Sequence, residues 1–276
     1  MKTHSTLSLR FYAHATCCRF FFKTLLALAG LLTSTLWAES PVDRHFVSVI
    51  TPQHSGGPSA QAIAELRWYQ ATTVNKFHTG LSPTGVCFDG YAIYVANLGS
   101  NTITKLRSGD GTEEATFAAG HHPIGLACDG ANIWVTNFSD NTVSKLRASD
   151  GSSLGTFQAG DAPFAIAFDG AHVWVSNAGN STVTELAADG TLLRNIPMPG
   201  EPNGLAFDGT SIWVAVATTN QACRLGVKGG PPNCVSSGGV SPAALAFDGA
   251  SLWIVNNGSN TVTKLDAGSG SGWLTN

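Results

Sequence analysis

Three side chains that could bind a metal recur at one interval. His121, Asp161 and Glu201 each stand directly after a glycine (Gly120, Gly160 and Gly200), so an imidazole and two carboxylates hold one matched position in successive segments. Leu81 and Val240 hold the same place after Gly80 and Gly239. Gathered at one mouth, the three polar groups could hold a divalent cation. Histidine with carboxylates suits zinc, manganese or iron, and calcium if oxygens dominate. Against this stands the plainer reading of solvated loop residues, because spacing across such long segments sets no ligand geometry. A one-residue deletion near Glu201 also disturbs its register. The pair His121-His122 invites a general base, yet spacing places no serine, cysteine or carboxylate against it.

What must position these side chains is a repeat. Tyr94, Trp134, Trp174, Trp213 and Trp253 occupy the same place in successive copies, at steps of 40, 40, 39 and 40 residues. A fixed period in that range marks a repeat architecture. In the second copy, Gly125-Leu126-Ala127-Cys128 is a short apolar run that ends at Asp129-Gly130, a dipeptide suited to the positive φ of a tight hairpin. Ile133-Trp134-Val135-Thr136 is β-branched and aromatic and stops at Asn137. Thr142 to Arg147 supplies a third strand and Leu154 to Gln158 a fourth. Four short antiparallel strands per unit, without a competing helical period, predict an all-β β-propeller of four-stranded blades. The loops leading into each innermost strand and the loops between second and third strands then open on one face, around a central channel. His121, Asp161 and Glu201 belong to that face.

Most other repeated polar residues read as structure. Asn97, Asn137, Asn177 and Asn256 end the second strand, and Asn101, Asn141 and Asn260 start the third, positions where asparagine bonds local backbone and tolerates left-handed geometry. The Asp-Gly pairs at Asp89, Asp129, Asp169, Asp208 and Asp248 read as turns, and the repeated aromatic as packing between blades. Lys105, Lys145, Glu185, Arg224 and Lys264 share a third-strand position, which fits an outer strand facing water. His172 falls in a first turn on the opposite face, where exposure is expected. Asn137-Phe138-Ser139 and Asn180-Ser181-Thr182 match the glycosylation sequon.

The chain's start reads differently. Arg10, Arg19 and Lys23 precede an apolar segment from Leu25 to Trp37, and Ala38 ends it before Glu39-Ser40, the order of a secretory signal peptide over residues 1–38. The segment is too short to span a bilayer of about 30 Å comfortably, and no later stretch reads as transmembrane. Export to the periplasm or beyond is therefore expected. With a net charge of −3 and 12% charged residues, no field exists to hold nucleic acid or an anionic membrane. Of six cysteines, Cys17 and Cys18 leave with the signal. Cys87 and Cys128 lie on first strands one position out of register, so they should face opposite sides and stay separate thiols. Matched to the second copy, Cys223 and Cys234 fall on Ser144 and Gly155 across the third and fourth strands, a candidate disulfide that an oxidising compartment would permit.

Residues 39–60 form a lead-in, with His45 to Thr51 alternating like a strand. Gln61 to Gly80 matches Asn141 to Gly160 without a gap, pairing Ile63 with Val143, Leu66 with Leu146, Arg67 with Arg147 and Phe77 with Phe157. The propeller thus occupies 61–276, with units starting near 80, 120, 160, 200 and 239. About six blades are expected, the first lacking its innermost strand, in a ring that is either imperfectly closed or truncated.

The runs IYVAN (93–97), IWVTN (133–137) and VWVSN (173–177), each followed by a strand such as NTVSKL, resemble the YVTN family of bacterial β-propeller repeats. The preceding pattern, as in Asn203-Gly204-Leu205-Ala206-Phe207-Asp208-Gly209, is similar to NHL-type and virginiamycin B lyase-like propellers. The resemblance implies an exported or surface-associated bacterial protein, and a propeller as such hosts many functions. It also implies what is missing. The lyases draw histidine and glutamate from late blades, whereas this chain has no histidine after His172 and no later glutamates than Glu185 and Glu201. Nothing reproduces the ligand motif of gluconolactonase-type metal enzymes. The resulting expectation is a scaffold without a resident cofactor, binding a protein, peptide or glycan of the cell envelope on its loop face. The alternative is a metal-dependent hydrolase or lyase with a cation at the channel mouth.

Overall fold

The computed structural model describes residues 76–266. The signal segment, the lead-in, most of the first expected blade and the chain's last ten residues fall outside that range. Within it the chain folds into five antiparallel sheets in sequence order, covering 83–118, 123–158, 163–197, 202–236 and 242–266. The first four have four strands each, and the fifth has three. No helix occurs among the described residues.

Each sheet follows one plan. In the second, Pro123–Cys128 pairs with Asn132–Asn137, that strand with Thr142–Arg147, and the last with Ser153–Gln158. Innermost strands of successive sheets touch, so the sheets fan about a common axis. Close approach there needs small residues: a methyl group on Gly85 would come within 2.2 Å of the Ile124 carbonyl oxygen. Second strands are buried on both faces, as in Ile133, Trp134, Val135, Thr136 and Asn137, because a neighbouring sheet covers each side. Fourth strands alternate with exposed positions at the rim.

Every sheet also has a direction. Trp134 packs with Val173, Val175 and Leu186 of the next sheet, Trp174 with Ile212, Val214 and Leu225, and Trp213 with Leu252, Ile254 and Leu265. The aromatic therefore faces forward, and the Ile and Val of the second strand face back. At about 25 cal/mol per Å² over roughly 200 Å², each buried indole contributes on the order of 5 kcal/mol of transfer free energy. The Asp-Gly turn locks it in place. Asp129 Oδ1 accepts the backbone N–H groups of Ala131 (3.0 Å) and Asn132 (2.7 Å), while Oδ2 accepts the Trp134 indole N–H at 3.0 Å. Asp169, Asp208 and Asp248 repeat the bond to Trp174, Trp213 and Trp253, and Tyr94 donates its hydroxyl to Asp89.

Three expectations need correction. Cys87 and Cys128 form a disulfide, with Cα atoms 5.9 Å apart. Cys87 pairs with forward-facing Tyr94 and Cys128 with backward-facing Ile133, so the one-position offset points the two thiols at each other across the gap between sheets. The third-strand charges do not simply face water. Lys105, Lys145, Arg224 and Lys264 lie 4.9 to 6.0 Å over the aromatic rings of their own sheets. Glu185 is buried, and Arg194 from the fourth strand both pairs with it and takes the place over Trp174. His172 is half-buried rather than exposed, its Nδ1 lying 3.5 Å from the carboxylates of both Asp169 and Glu185.

The fourth sheet departs from the plan in a coordinated way. Elsewhere the asparagine ending the second strand donates to two third-strand hydroxyls; Asn137 reaches Thr142 at 3.0 Å and Ser144 at 2.8 Å. Here Val216 replaces that asparagine, and Cys223 replaces the hydroxyl at the Ser144 position. Cys223 is instead bonded to Cys234, directly opposite with Cα atoms 4.0 Å apart. The match that pointed to this pair is off by one at its second member, since Ser144 faces Thr156 rather than Gly155.

Candidate functional site

The loops leading into the innermost strands and those between second and third strands interlock on one face. Phe138 and Ser139 donate backbone N–H groups to the carbonyls of His122 and His121, and Leu98 and Gly99 do the same to Ser82 and Leu81. A residue of positive φ precedes the proline of four innermost strands, namely Ser82, His122, Ala162 and Ser241. Its N–H is taken by an asparagine of the preceding sheet: Asn101 for His122 (2.9 Å), Asn141 for Ala162 (2.9 Å) and Asn220 for Ser241 (2.7 Å). The fourth sheet omits that residue. Its innermost strand begins at Pro202, which has no N–H, and the preceding sheet correspondingly carries Ser181 instead of asparagine. The deletion near Glu201 is thus matched by loss of the group that would have bonded the deleted residue.

On this scaffold His121 is exposed and donates its backbone N–H to Asp140 Oδ2 (2.7 Å), while its ring Nδ1 lies 2.8 Å from Asp140 Oδ1. The backbone N–H, followed by the imidazole, holds the Asp140 carboxyl below its ordinary range. His122 Nδ1 lies 2.6 Å from Ser139 Oγ. Asp161 accepts a long 3.5 Å contact from Asn141 Nδ2, and Glu201 donates its N–H to Thr218 Oγ1 at 3.0 Å. His121 and Asp161 thus both touch the second sheet's 138–141 loop, at the adjacent residues Asp140 and Asn141, whereas Glu201 engages Thr218 of the fourth sheet. Among the described residues no three His, Cys, Asp or Glu side chains are gathered as a metal ion would need.

Asp140 and Ser139 are the partners that spacing along the sequence did not reveal. A signal was present in the pattern: the position 19 residues after the leading residue caps it in other copies too, as Ser100 does for Leu81 and Ser259 for Val240. Only in the second sheet does that cap carry a carboxylate beside an imidazole. Among the described loops of this face from residue 119 to 260, the charged residues are Asp140, Asp161 and Glu201 with His121 and His122, and none is lysine or arginine; the coil leading into the first sheet carries exposed Lys76 and His78. The rim is separate, with an open groove of about 590 Å³ lined by Arg194, Ile196, Pro197 and Pro231 among others.

Five like sheets fanned about an axis define a β-propeller. The fold is similar to that of a catalytically inactive virginiamycin B lyase from Staphylococcus aureus with quinupristin, at 17% identity and a TM-score of 0.59, covering 69% of each chain. It is also similar to a structure in the nidogen/laminin complex (20% identity, TM-score 0.57, covering 67% of this chain and 75% of that one). Hydrazine synthase from Kuenenia stuttgartiensis matches at 14% identity and a TM-score of 0.54, over 73% and 71% of the two chains. No protein-family model matches the sequence, and no curated protein does. Among the described residues no helix is long and apolar enough to cross a membrane.

Proposed function

We propose that this propeller is an exported, non-enzymatic scaffold whose loop face binds a protein or peptide partner carrying basic groups. The observation that carries the reading is the charge of the described loops from residue 119 to 260, three carboxylates and two imidazoles without a lysine or arginine, held on loops stapled to one another. Such a surface steers and retains a cationic partner through complementary potential. Leu81 and Val240, exposed at the matched positions of the first and fifth sheets, add apolar contact area beside it. The nidogen/laminin complex, in which a similar fold sits in a protein assembly, is in keeping with a protein partner. Two disulfides, one between blades and one within a blade, suit an oxidising periplasmic or extracellular setting.

Fluorescence anisotropy tests the reading with two labelled nonapeptides, one alternating Lys and Gly and one alternating Glu and Gly. The basic peptide should bind, more weakly as salt is raised, and at least tenfold more weakly to an Asp140→Asn, Asp161→Asn, Glu201→Gln variant. Equal binding of both peptides, or an unchanged affinity in the variant, overturns the proposal.

A further inference from the structure

We propose that residues 45–80 form the blade that lies between the first and fifth sheets, so that both open ends of the row are covered by this chain's own N-terminal repeat. Both ends are bare among the described residues, and each is bare on a different kind of face. The first sheet's backward face exposes Val86 by 61% and Phe88 by 58%, whereas Leu126, in the place of Val86, is 8% exposed against its neighbour. The fifth sheet's forward face exposes Trp253 by 38% and Val262 by 41%, whereas Trp134, Trp174 and Trp213 are at most 1% exposed. A single blade has one face of each kind, so one inserted blade satisfies both.

Phe77 identifies the occupant. In the interior of the row, a fourth-strand phenylalanine lies over the turn glycine of the next sheet: a methyl on Gly151 would come within 2.1 Å of Phe117, and one on Gly190 within 2.0 Å of Phe157. Phe77 lies over Gly111 in the same way, where a methyl would come within 2.2 Å of its ring. Residue 77 thus already stands where the fourth strand of a preceding blade ends. The stretch leading to it aligns with Asn141 to Gly160 without a gap, with Leu66 in the place of buried Leu146 and Ile63 in that of buried Val143. His45 to Thr51 supplies the alternating run for the strand before it.

Hydroxyl-radical footprinting of the full chain, read by mass spectrometry, tests this together with sedimentation. Phe88 and Trp253 should react at least tenfold more slowly in the native chain than in urea, in a species that sediments as a monomer. Leu66→Asp should raise both rates at least fivefold while Trp134 stays protected, which also reports that the remaining blades are folded. If Leu66→Asp does not accumulate, Ile63→Asn replaces it with the same readout. Native rates near those in urea, protection that appears only in a dimer, or protection unmoved by the variant would each overturn the proposal; the second would give the faces to another copy. The peptide assay probes a different face, so failure of one leaves the other standing.

Discussion

Gly151→Ala probes the contact that joins one blade's fourth strand to the next blade's turn. Gly151 has φ +71°, and a methyl there would come within 2.1 Å of Cδ1 and 2.3 Å of Cγ of Phe117, a buried ring. Two costs follow. Holding an L-residue in the left-handed region takes about 1–2 kcal/mol. Forcing the ring aside in a packed core adds about 1–3 kcal/mol. Gly130→Ala separates them, because Gly130 has φ +94° with nothing within 4 Å of the added methyl, so only the backbone cost applies. At roughly 3 °C per kcal/mol for a chain of this size, the first variant should melt about 3–9 °C below the second. Circular dichroism melts, with urea titrations as a second measure, read the gap. Repeating Gly151→Ala in a Phe117→Leu background should shrink the gap, since residues in contact are not additive. Equal losses for both glycine variants, with no coupling to residue 117, would refute the placement of Phe117 over Gly151 and the inference about Phe77 that uses the same geometry.

The remaining predictions concern covalent ties, acid and metal. Reduction should lower the urea midpoint through two bridges; on chain entropy, the Cys87–Cys128 tie, 41 residues apart, is worth about 4 kcal/mol and Cys223–Cys234, 11 apart, about 3. Cys87→Ser should therefore cost more than Cys234→Ser, and intact mass with and without reductant should show two bridges. Burial alone would raise the carboxyls of Asp129, Asp169 and Asp208, but hydrogen bonds from the turn and the indole outweigh it and lower them, and Asp248 is lowered to about 2, first by its bond from Trp253. A depressed carboxyl stabilises above its ordinary value of 3.8 and loses that stability as pH falls through the folded value. The urea midpoint should thus hold from pH 7 to about 5 and fall steadily toward pH 2, and a flat acid limb would contradict it. Because no three His, Cys, Asp or Glu side chains are gathered among the described residues, zinc or manganese added to dialysed protein should leave the melt unmoved. A rise of several degrees, abolished by His121→Ala, would instead restore the metal-dependent reading.

Much of this architecture is visible in the amino-acid order because each blade repeats its own instructions. The second copy's third strand falls at Thr142–Arg147 as expected, and its other strands differ from expectation only at their ends. What stays hidden is what depends on the relation between copies. Residue alternation correctly gives Cys87 and Cys128 opposite faces, yet only the fanning of the sheets shows that opposite faces of adjacent blades confront one another. The same limit applies at the loop face. His121 can be singled out from its matched position, but its partner Asp140 is found only when two loops 19 residues apart are seen to interlock. Glu185 has the charge of a surface residue and the burial of a core one, a combination that becomes sensible once Arg194 is seen beside it.

The asparagine-to-amide links have a consequence for how the chain reaches its final form. Asn101 caps His122 and Asn141 caps Ala162, so each unit waits only for about twenty more residues of chain before its loops are secured. A polypeptide delivered N-terminus first during synthesis can therefore mature like a zip, each tooth closing on the one just delivered.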